Sequence, residues 1–567
     1  MSGDRSLSRW WSRAANLSMC HQRPILIVGA GAAGLTLARS IALRGRAVQV
    51  FDRQIKRLDR GLGIWGRSQA ALRALGLSSL LDDADRTLRI PAAAYRSRRG
   101  DWLSACSNTA ANHVRVNTLR ESHLLKALEE GLPSGCVVRD VELIDVKTST
   151  KGVELTFDNG DTIQGAAVVG ADGVHSTVRA LLRDENNVRM GLAEATGFES
   201  HSGLLLPEAG AEAMRLGGSV HRNFFEQHVT HDDLSEGLLR NAAPVCDSSS
   251  VRGRGWGSGS EITGDSAAGS GGSHQNANPM YSAPSSAASC SAHAFETLSA
   301  GRRFAMVPLA GGGAFWFGEH EHLHEARAKP STIPHTALDH AHPTCYPWPP
   351  QLILRCKPCL TATRPILEIE RRSPCEGTDA TALRALRDAY EGWHEPIPRV
   401  LHFAACAAAE AAMASSTASK AQVAGKPWWE RLVVAPRMKK WYTQRAVLIG
   451  DAAHGMPINL AQGAAASIEG AYLLGEQLCR AADTPEALES AFAAYQAAHE
   501  PRIKQCEQMA EFTARLAQPA SPRAEAVRNA MRFVPERING AIFDASLARS
   551  LGDAPQSTRS KWPLATS

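Results

Sequence analysis

The sequence predicts an α/β fold that begins near residue 24 and ends in a long helical region, and three observations support this class. Short uninterrupted apolar runs, of which Ile25–Val28 is the first, recur along the chain. Runs of this length without alternation are typical of strands buried on both faces of a parallel sheet. Helical periodicity follows the first run, and it returns over residues 463–516. Strands alternating with helices predict a parallel sheet covered by helices.

The first elements form a strand–helix–strand unit. Ile25–Val28 is followed by glycines and then by Leu35–Leu43, whose apolar residues have helical spacing. A second apolar run, Val48–Phe51, completes the unit. This order, within about thirty residues, predicts two adjacent parallel strands joined by a helix.

The later elements are strands until the C-terminal helices begin. Val137–Phe157 alternates between apolar and polar residues, and Ala166–Val169 reads as a buried strand. Residues 303–317 predict two strands joined by a glycine turn. Ala446–Ile449 predicts the last buried strand, and residues 463–516 predict the helical region.

Two irregular insertions interrupt these elements. Residues 247–294 consist mainly of Ser, Gly, Ala and Asn, a composition that predicts disorder because it buries too little apolar surface. Residues 320–375 are rich in His, Pro and Cys. The predicted organisation is a disordered or targeting extension (1–23), the first part of a nucleotide-binding domain (24–190, with strands of a second domain near 90–118), the second domain (191–435), the second part of the first domain with the C-terminal helices (436–516), and a tail (517–567).

Composition and charge argue against a transmembrane helix and against a nucleic-acid partner. No window of the 567 residues approaches the 18 or so uninterrupted apolar residues of a transmembrane helix, so none is expected. The formal net charge is only +5, without a long basic run. Nucleic acid is therefore not expected as a partner.

The cysteines favour a reducing compartment over a disulfide framework, because the 12 residues are scattered without regular spacing. Cys356 and Cys359 follow three histidines, His320, His322 and His324, and such a set could bind zinc. The spacing does not match a known zinc finger. We therefore predict no metal site.

The first 23 residues carry four arginines and a single acid, Asp4. They lack the apolar core of a secretory signal. A mildly basic extension of a cytoplasmic protein is the simpler interpretation. A short mitochondrial presequence is the alternative, and the protein would then be mitochondrial.

The first motif that carries chemistry is GAGAAG at residues 29–34, between a strand and a helix. Gly29 allows a tight turn, Gly31 lets a pyrophosphate approach the backbone, and Gly34 lets the helix pack on the strand. The helix N-terminus offers unpaired N–H groups to the anion. Asp52 ends the second strand, where a carboxylate accepts hydrogen bonds from a ribose. Together these features predict a Rossmann-like dinucleotide site.

Two further motifs, each after a buried strand, identify the kind of dinucleotide. They are GADGVHSTVR at residues 170–179 and GDAAHGMP at 450–457, the latter continuing to AQGAA at 461–465. With the glycine motif, in this order, the chain resembles the class A flavoprotein monooxygenases, aromatic hydroxylases related to para-hydroxybenzoate and salicylate hydroxylases. The resemblance covers most of residues 24–515 apart from the insertions. It implies a Rossmann-like FAD-binding domain interleaved with a mixed-sheet substrate domain that covers the flavin ring.

The resemblance also implies a role for each matching residue. The glycine motif would hold the pyrophosphate, Asp52 the adenosine ribose, and Arg120 the phosphates. The backbone of Val141 would meet the adenine, and Asp451 would bind a ribityl hydroxyl. The helix that opens near Gly463 would place its positive end at the flavin pyrimidine ring. The implied cofactor-binding set is Gly29, Gly31, Ala32, Ala33, Gly34, Asp52, Arg53, Arg120, Val141, Asp172, Gly173, Asp451, Gly463 and Ala464.

The implied activity is hydroxylation of an aromatic or related small molecule with O₂, through a flavin C4a-hydroperoxide. NADPH or NADH would act as a transient co-substrate, because no second glycine fingerprint opens a helix. Phe315 and Trp316 could line a substrate pocket, although strand aromatics are more often core. No catalytic base is assigned, and the oligomeric state is left open. The histidines considered as bases are His175, His201, His221 and His454.

The chain departs from the family pattern at three positions and leaves alternatives open. Ala461 stands where glycine is commonest, Ala465 where asparagine is common, and Gly470 where an aspartate usually lies. None removes a group that the chemistry requires. A ubiquinone-pathway ring hydroxylase is one alternative, favoured if residues 1–23 direct mitochondrial import. A non-catalytic FAD-binding protein, with insertions that recruit partners, is the other.

Overall fold

The computed structural model describes residues 23–53, 58–90, 92–107, 116–182, 190–214, 216, 294–321, 376–377, 380–413, 427–519 and 521–533. All of them belong to one compact unit of the chain, formed by residues 1–218 and 292–567. The first 22 residues, nearly all of both predicted insertions, His221, His322, His324, Cys356 and Cys359 lie outside the described residues.

The strands are β1 (Ile25–Val28), β2 (Val48–Asp52), β3 (Gly61–Ile64), β4 (Thr87–Ile90), β5 (Ala92–Ser97), β6 (Trp102–Ser107), β7 (Val116–Arg120), β8 (Val137–Arg139), β9 (Leu143–Ser149), β10 (Gly152–Phe157), β11 (Thr162–Gly165), β12 (Ala167–Gly170), β13 (Glu194–Leu205), β14 (Ala294–Ser299), β15 (Arg302–Pro308), β16 (Ala314–Glu321), β17 (Glu376–Gly377), β18 (Trp428–Val434) and β19 (Ala446–Leu448).

The helices are α1 (Ala32–Ala42), α2 (Gly66–Ala74), α3 (Ser78–Asp82), α4 (Glu121–Glu129), α5 (Thr177–Leu181), α6 (Ala380–Ala389), α7 (Ile397–Met413), α8 (Asp451–His454), α9 (Gly463–Arg480), α10 (Pro485–Ala517) and α11 (Pro522–Asn529). Short 3₁₀ turns cover Ala310–Gly312, Ile458–Leu460 and Ala530–Phe533. No helix in the described part of the chain is long and apolar enough to cross a membrane.

A five-stranded parallel sheet forms the centre of the nucleotide-binding part, in the order β19-β12-β1-β2-β8. Its strands are apolar because both faces are covered, and Ile25, Val168 and Val447 are fully buried. Helices α1 and α9 pack against each other beside this sheet. The α/β class and the strand–helix–strand unit predicted from the sequence are confirmed.

An eight-stranded mixed sheet forms the second part, in the order β17-β18-β13-β16-β15-β14-β5-β6. Its pairs are antiparallel except β14 with β5. Helices α6 and α7 cover one face, where Phe304 and Trp316 are fully buried. Two three-stranded antiparallel sheets, β11-β10-β9 and β3-β7-β4, complete the described architecture.

The structure differs from the sequence prediction at several boundaries. The predicted C-terminal helical region is two helices, because α9 ends at Arg480 and α10 begins at Pro485. The Ala-rich stretch near residue 404, which had no predicted structure, belongs to α7. Residue 294 begins β14 and residues 320–321 end β16, so both insertions are shorter than predicted. Helix α11 lies in the predicted tail, where Arg528 is buried and donates to the Leu298 carbonyl.

Candidate functional site

The carboxyl ends of the five parallel strands bring the predicted site residues to one edge of the sheet. The glycine motif follows β1, Asp52 ends β2, and Val141 lies just beyond β8. The second and third motifs follow β12 and β19. Because parallel strands end at the same edge, residues far apart in sequence meet there, which is where open α/β sheets bind ligands.

The glycine motif leaves no room for side chains at its tight points. A Cβ on Gly29, which has φ +106°, would lie 2.3 Å from the Ala171 carbonyl oxygen. A Cβ on Gly34 would lie 1.9 Å from the Gly29 carbonyl oxygen. Helix α1 begins at Ala32 after Gly31, and no side chain caps it. Its first amides are therefore available to an anion.

Four charged residues lie at or just beyond the ends of β2 and β8 on the same edge of the sheet. Asp52 is 9% exposed, and its carboxylate lies 3.6 Å from Arg139 Nη1. The Val141 amide donates to the Asp52 carbonyl oxygen at 3.3 Å. Arg53 lies 3.9 Å from the Glu142 carboxylate. The backbone of Val141 is thus held against the backbone of Asp52 at the end of β2.

Arg120 begins α4 and pairs with a carboxylate that the sequence analysis did not single out. Its Nη2 lies 2.5 Å from Asp59 Oδ2, and its side chain is 42% exposed. The same carboxylate accepts hydrogen bonds from the Ser122 amide at 3.0 Å and hydroxyl at 2.9 Å. Asp59 therefore orients Arg120 while leaving part of the guanidinium open to solvent.

The Asp172 carboxylate is used within the protein. It accepts hydrogen bonds from the Ser176 hydroxyl at 2.5 Å and from the amides of Thr177 at 2.7 Å and Val178 at 3.1 Å. By accepting from these amides, the Asp172 carboxylate helps to cap α5. Burial raises the pKa of Asp172, and the hydrogen bonds oppose that rise. Gly173 follows with φ +81° and open space where a Cβ would stand, so the backbone of this turn is not covered by neighbouring side chains there.

Asp451 and the first turn of α9 face each other. Asp451 is exposed, and a Cβ on Gly463 would lie 3.9 Å from its Oδ1. Desolvation by the surrounding protein raises the pKa of Asp451, and nearby Arg60 lowers it. No side chain caps α9, so the amides of Gly463 and Ala464 lie at the positive end of an 18-residue helix.

The three motifs contact one another directly. A Cβ on Gly450 would lie 2.9 Å from Ala33 Cβ, so the third motif packs on the first. The buried Arg179 of the second motif donates to the Ala452 carbonyl of the third at 2.8 Å. Gly29 packs on Ala171 as described above. One continuous backbone surface results.

The eight-stranded sheet contributes an apolar face next to β3. A Cβ on Gly61 would lie 2.6 Å from Phe315 Cβ, and Phe315 stacks on Trp428 with ring centroids 6.1 Å apart. The Thr118 hydroxyl donates to the Pro308 carbonyl at 2.7 Å, which ties the two parts together. Trp316 points to the other face, where it stacks on Phe304 with centroids 5.7 Å apart. Of the two aromatics considered for a pocket, Trp316 is core.

The described histidines do not single out a base. Burial, with the charges of Arg53 and Arg179, lowers the pKa of His175. His201 is buried beside His320, with ring centroids 5.2 Å apart. Burial lowers the pKa of His454 to about 4, and its ring packs against Trp441 and His499.

Several residues of the site carried no recognised signal in the sequence. They belong to loops or helices far from the motifs, and only the fold brings them together. These residues are Asp59, Arg60, Trp65 and Arg502. The Trp65 indole donates to the Ala461 carbonyl at 3.1 Å, for example, across 396 positions of sequence.

Comparison with known proteins identifies the family. The model of the FAD binding domain family matches residues 22–203 and 404–510, about half of the chain. The aurachin C monooxygenase/isomerase of Stigmatella aurantiaca is 22% identical over 469 residues, which are 82% of each chain. The 3-amino-4-hydroxybenzoate 2-monooxygenase PtnB3 of Streptomyces platensis is 31% identical over 169 residues, 29% of this chain and 42% of that protein.

Solved structures agree on the fold. HpxO of Klebsiella pneumoniae, complexed with FAD and uric acid, superposes with a TM-score of 0.57 at 16% identity, covering 95% of this chain and 100% of that one. A salicylate hydroxylase substrate complex gives a TM-score of 0.55 at 15% identity, covering 94% and 99%. The chain belongs to the FAD binding domain family. It is an FAD-dependent monooxygenase, as the family resemblance of the three motifs implied.

Proposed function

We propose that this protein uses NADPH or NADH and O₂ to hydroxylate an aromatic or related small molecule. The observation that carries this proposal is the meeting of all three motifs at the carboxyl edge of the parallel sheet, between two uncapped helix N-termini. An elongated dinucleotide fits such an edge, because backbone donors lie at both ends of it. The names of the relatives, among them a hydroxybenzoate monooxygenase, support an aromatic substrate.

In this proposal different residues bind different parts of the cofactor. The open amides of α1, with Gly29, Gly31, Ala32, Ala33 and Gly34, hold the pyrophosphate. Asp52 and the backbone of Val141 hold the adenosine end, beside Arg53. Asp59 orients Arg120, whose positive charge attracts the cofactor phosphates. The Asp172–Gly173 turn contributes backbone contacts rather than a free carboxylate.

The flavin end of the cofactor is bound by Asp451, Gly463 and Ala464. Asp451 is exposed opposite the first turn of α9, where a carboxylate can accept from a ribityl hydroxyl. Gly463 and Ala464 are small, so a ring can approach the amides of that turn. Bound FAD, once reduced by the nicotinamide, supplies the activation of O₂. The face of the mixed sheet around Phe315 and Trp428 then excludes water and holds the substrate by apolar contact.

The first test is an absorption spectrum of the purified protein, with the released chromophore identified by chromatography. Released FAD, followed by oxidation of NADPH or NADH that a phenol accelerates, would support the proposal. Mass-spectrometric detection of product carrying one atom of ¹⁸O from ¹⁸O₂ would complete it. A protein that neither carries nor takes up FAD would overturn it. Nicotinamide oxidation that yields only H₂O₂ with every phenol would reject this substrate class.

A further inference from the structure

A buried arginine contacts the residue that starts the flavin-facing helix. Arg502, on α10, is 5% exposed, and its Nη2 donates to the Gln462 side-chain oxygen at 3.0 Å. Its Nε lies 3.3 Å from the Glu469 carboxylate, and its Nη1 lies 2.8 Å from the Cys506 sulfur. None of these groups belongs to the cofactor contacts proposed above. Burying a charged side chain costs free energy unless it is paired, so this buried cluster calls for a functional explanation.

The contacted residue, Gln462, controls the first turn of α9. Gln462 is the N-cap residue and is 1% exposed, and its carbonyl accepts the first helical hydrogen bond, from Ala466, at 2.9 Å. The preceding residue, Ala461, has a left-handed conformation, and Trp65 holds its carbonyl at 3.1 Å. Two fixed points, Trp65 and Arg502, therefore hold the backbone that leads into the amides of Gly463 and Ala464.

The charges around Gln462 also favour an anion at this helix end. Glu469 raises the pKa of Arg502, so the guanidinium stays charged. Arg67 acts electrostatically on the same carboxylate, and Arg60 acts on the Asp451 carboxylate beside Gly463, so three cations accompany two acids at this helix end. Electrostatic effects act further in such a buried environment than in water.

We propose that Arg502 is a positioning residue for the flavin. Through Gln462 it fixes the first turn of α9, so that the helix end stabilises the negative charge that reduced FAD carries on its pyrimidine ring. This inference rests on the proposed function, because it requires the flavin ring at Gly463 and Ala464. Its consequence is tighter binding of reduced FAD than of oxidised FAD, which appears as a higher midpoint potential.

The experiment measures the two-electron midpoint potential of bound FAD by reductive titration against a reference dye. Arg502→Met removes the charge and the hydrogen bonds, and Arg502→Lys keeps only the charge. The matched control is Arg445→Met, which removes another buried arginine. Arg445 precedes β19 at the opposite edge of the sheet and donates to the Ala166 carbonyl at 2.7 Å.

We expect Arg502→Met to weaken binding of reduced FAD, relative to oxidised FAD, by about tenfold. This change lowers the midpoint potential by about 30 mV. Arg502→Lys should show a smaller decrease, and Arg445→Met should match the wild type. An unchanged potential in Arg502→Met, or an equal decrease in Arg445→Met, would overturn the inference.

A second variant covers the case in which Arg502→Met does not fold, since it leaves the Glu469 carboxylate unpaired. Gln462→Met keeps the Arg502–Glu469 pair and removes the hydrogen bonds that the Gln462 side chain accepts from Arg502 and Cys506. A lower midpoint potential in Gln462→Met supports the inference, and an unchanged potential overturns it. A wild-type protein that binds no FAD would overturn the proposed function as well. FAD-loaded wild type with an unaffected variant would overturn the role of Arg502 alone.

Discussion

Ala461 has an unusual backbone conformation for its residue type. Its φ is +49°, a left-handed value that costs a non-glycine residue about 1–2 kcal/mol because Cβ approaches a carbonyl oxygen. The conformation is held by the Trp65 hydrogen bond and by the buried Gln462 that follows. The structure thus explains why the family pattern prefers glycine here, and why alanine is tolerated.

Replacing Ala461 by glycine should stabilise the protein. We expect Ala461→Gly to raise the free energy of unfolding by about 0.5–1 kcal/mol, because the relief of strain exceeds the entropy that glycine adds to the unfolded chain. Urea denaturation of the apoprotein measures this change. The control is Ala494→Gly at an exposed position inside α10, which should lower the free energy by about 1 kcal/mol. A loss in both variants would contradict the strain at residue 461.

Asp451 offers a test of the flavin end of the site. We expect Asp451→Asn to reduce FAD affinity about tenfold, because an amide is a weaker acceptor for a ribityl hydroxyl than a carboxylate. Equilibrium dialysis against FAD measures the affinity, and far-ultraviolet circular dichroism checks the fold. Asp82→Asn, which breaks a surface pair with Arg73, is the matched control and should bind FAD as the wild type does. Unchanged affinity in Asp451→Asn would refute the role given to this carboxylate.

Among the elements, three neighbouring strands of the mixed sheet share a buried ion cluster. Arg303 on β15 is fully buried and pairs with Glu319 on β16, with one N–O distance of 2.6 Å, and with Glu296 on β14 at 3.2 Å. The Gln518 amide, just beyond α10, donates to Glu319 at 3.1 Å. The cluster joins the second sheet to the C-terminal helix.

Removal of the cation from this cluster should destabilise the whole sheet. We expect Arg303→Met to lower the free energy of unfolding by about 3–5 kcal/mol, because it leaves buried carboxylates unpaired. Arg303→Met/Glu319→Gln should recover part of that loss. Urea denaturation followed by circular dichroism compares them. A double variant no more stable than the single one would show that unpaired charge is not the cause.

At the scale of the whole molecule, buried histidines make stability depend on pH. Burial lowers the pKa of His454 to about 4, and the pKa of His499 is also lowered well below its usual value. Below about pH 6.5 the unfolded chain binds protons that these native histidines do not. Their contribution to stability is therefore present above pH 6.5 and is lost as the pH falls toward 4. Asp172 and Glu469 act in the opposite direction, because burial raises their pKa values.

The contribution of His454 can be isolated by difference. We expect the apoprotein to lose about 2 kcal/mol more stability between pH 7 and pH 5 than a His454→Phe variant does. The acids contribute equally to both proteins and cancel. Urea denaturation at the two pH values measures the difference. Parallel pH profiles would show that the pKa of His454 is the same in the native and the unfolded protein.

The sequence predicted the parts of the fold that depend on local pattern. The apolar runs at Ile25–Val28 and Ala446–Ile449 locate strands, since burial on both faces demands such composition. The break between α9 and α10 has a local signal that the sequence prediction missed, because Thr484 caps the second helix and Pro485 is its first residue. The strand continuing through His320 depends on tertiary packing, which local pattern does not encode. For the site, glycines at tight turns are visible in sequence. Asp59 and Arg502 are not, because an ordinary charged residue on a helix or loop has the same local pattern.

The order of strands in the parallel sheet has a consequence for biosynthesis. β19 pairs with β12, yet it leaves the ribosome after 445 residues have been made, and Asp451 and α9 follow it. Until then β12 is an open edge of apolar residues in the nascent chain, and such edges promote aggregation. The cofactor cleft therefore cannot assemble during synthesis of the N-terminal half. A chain truncated before residue 446 would have an unprotected sheet edge at β12. It would also lack Asp451 and Gly463, the residues assigned to the flavin end of the cofactor.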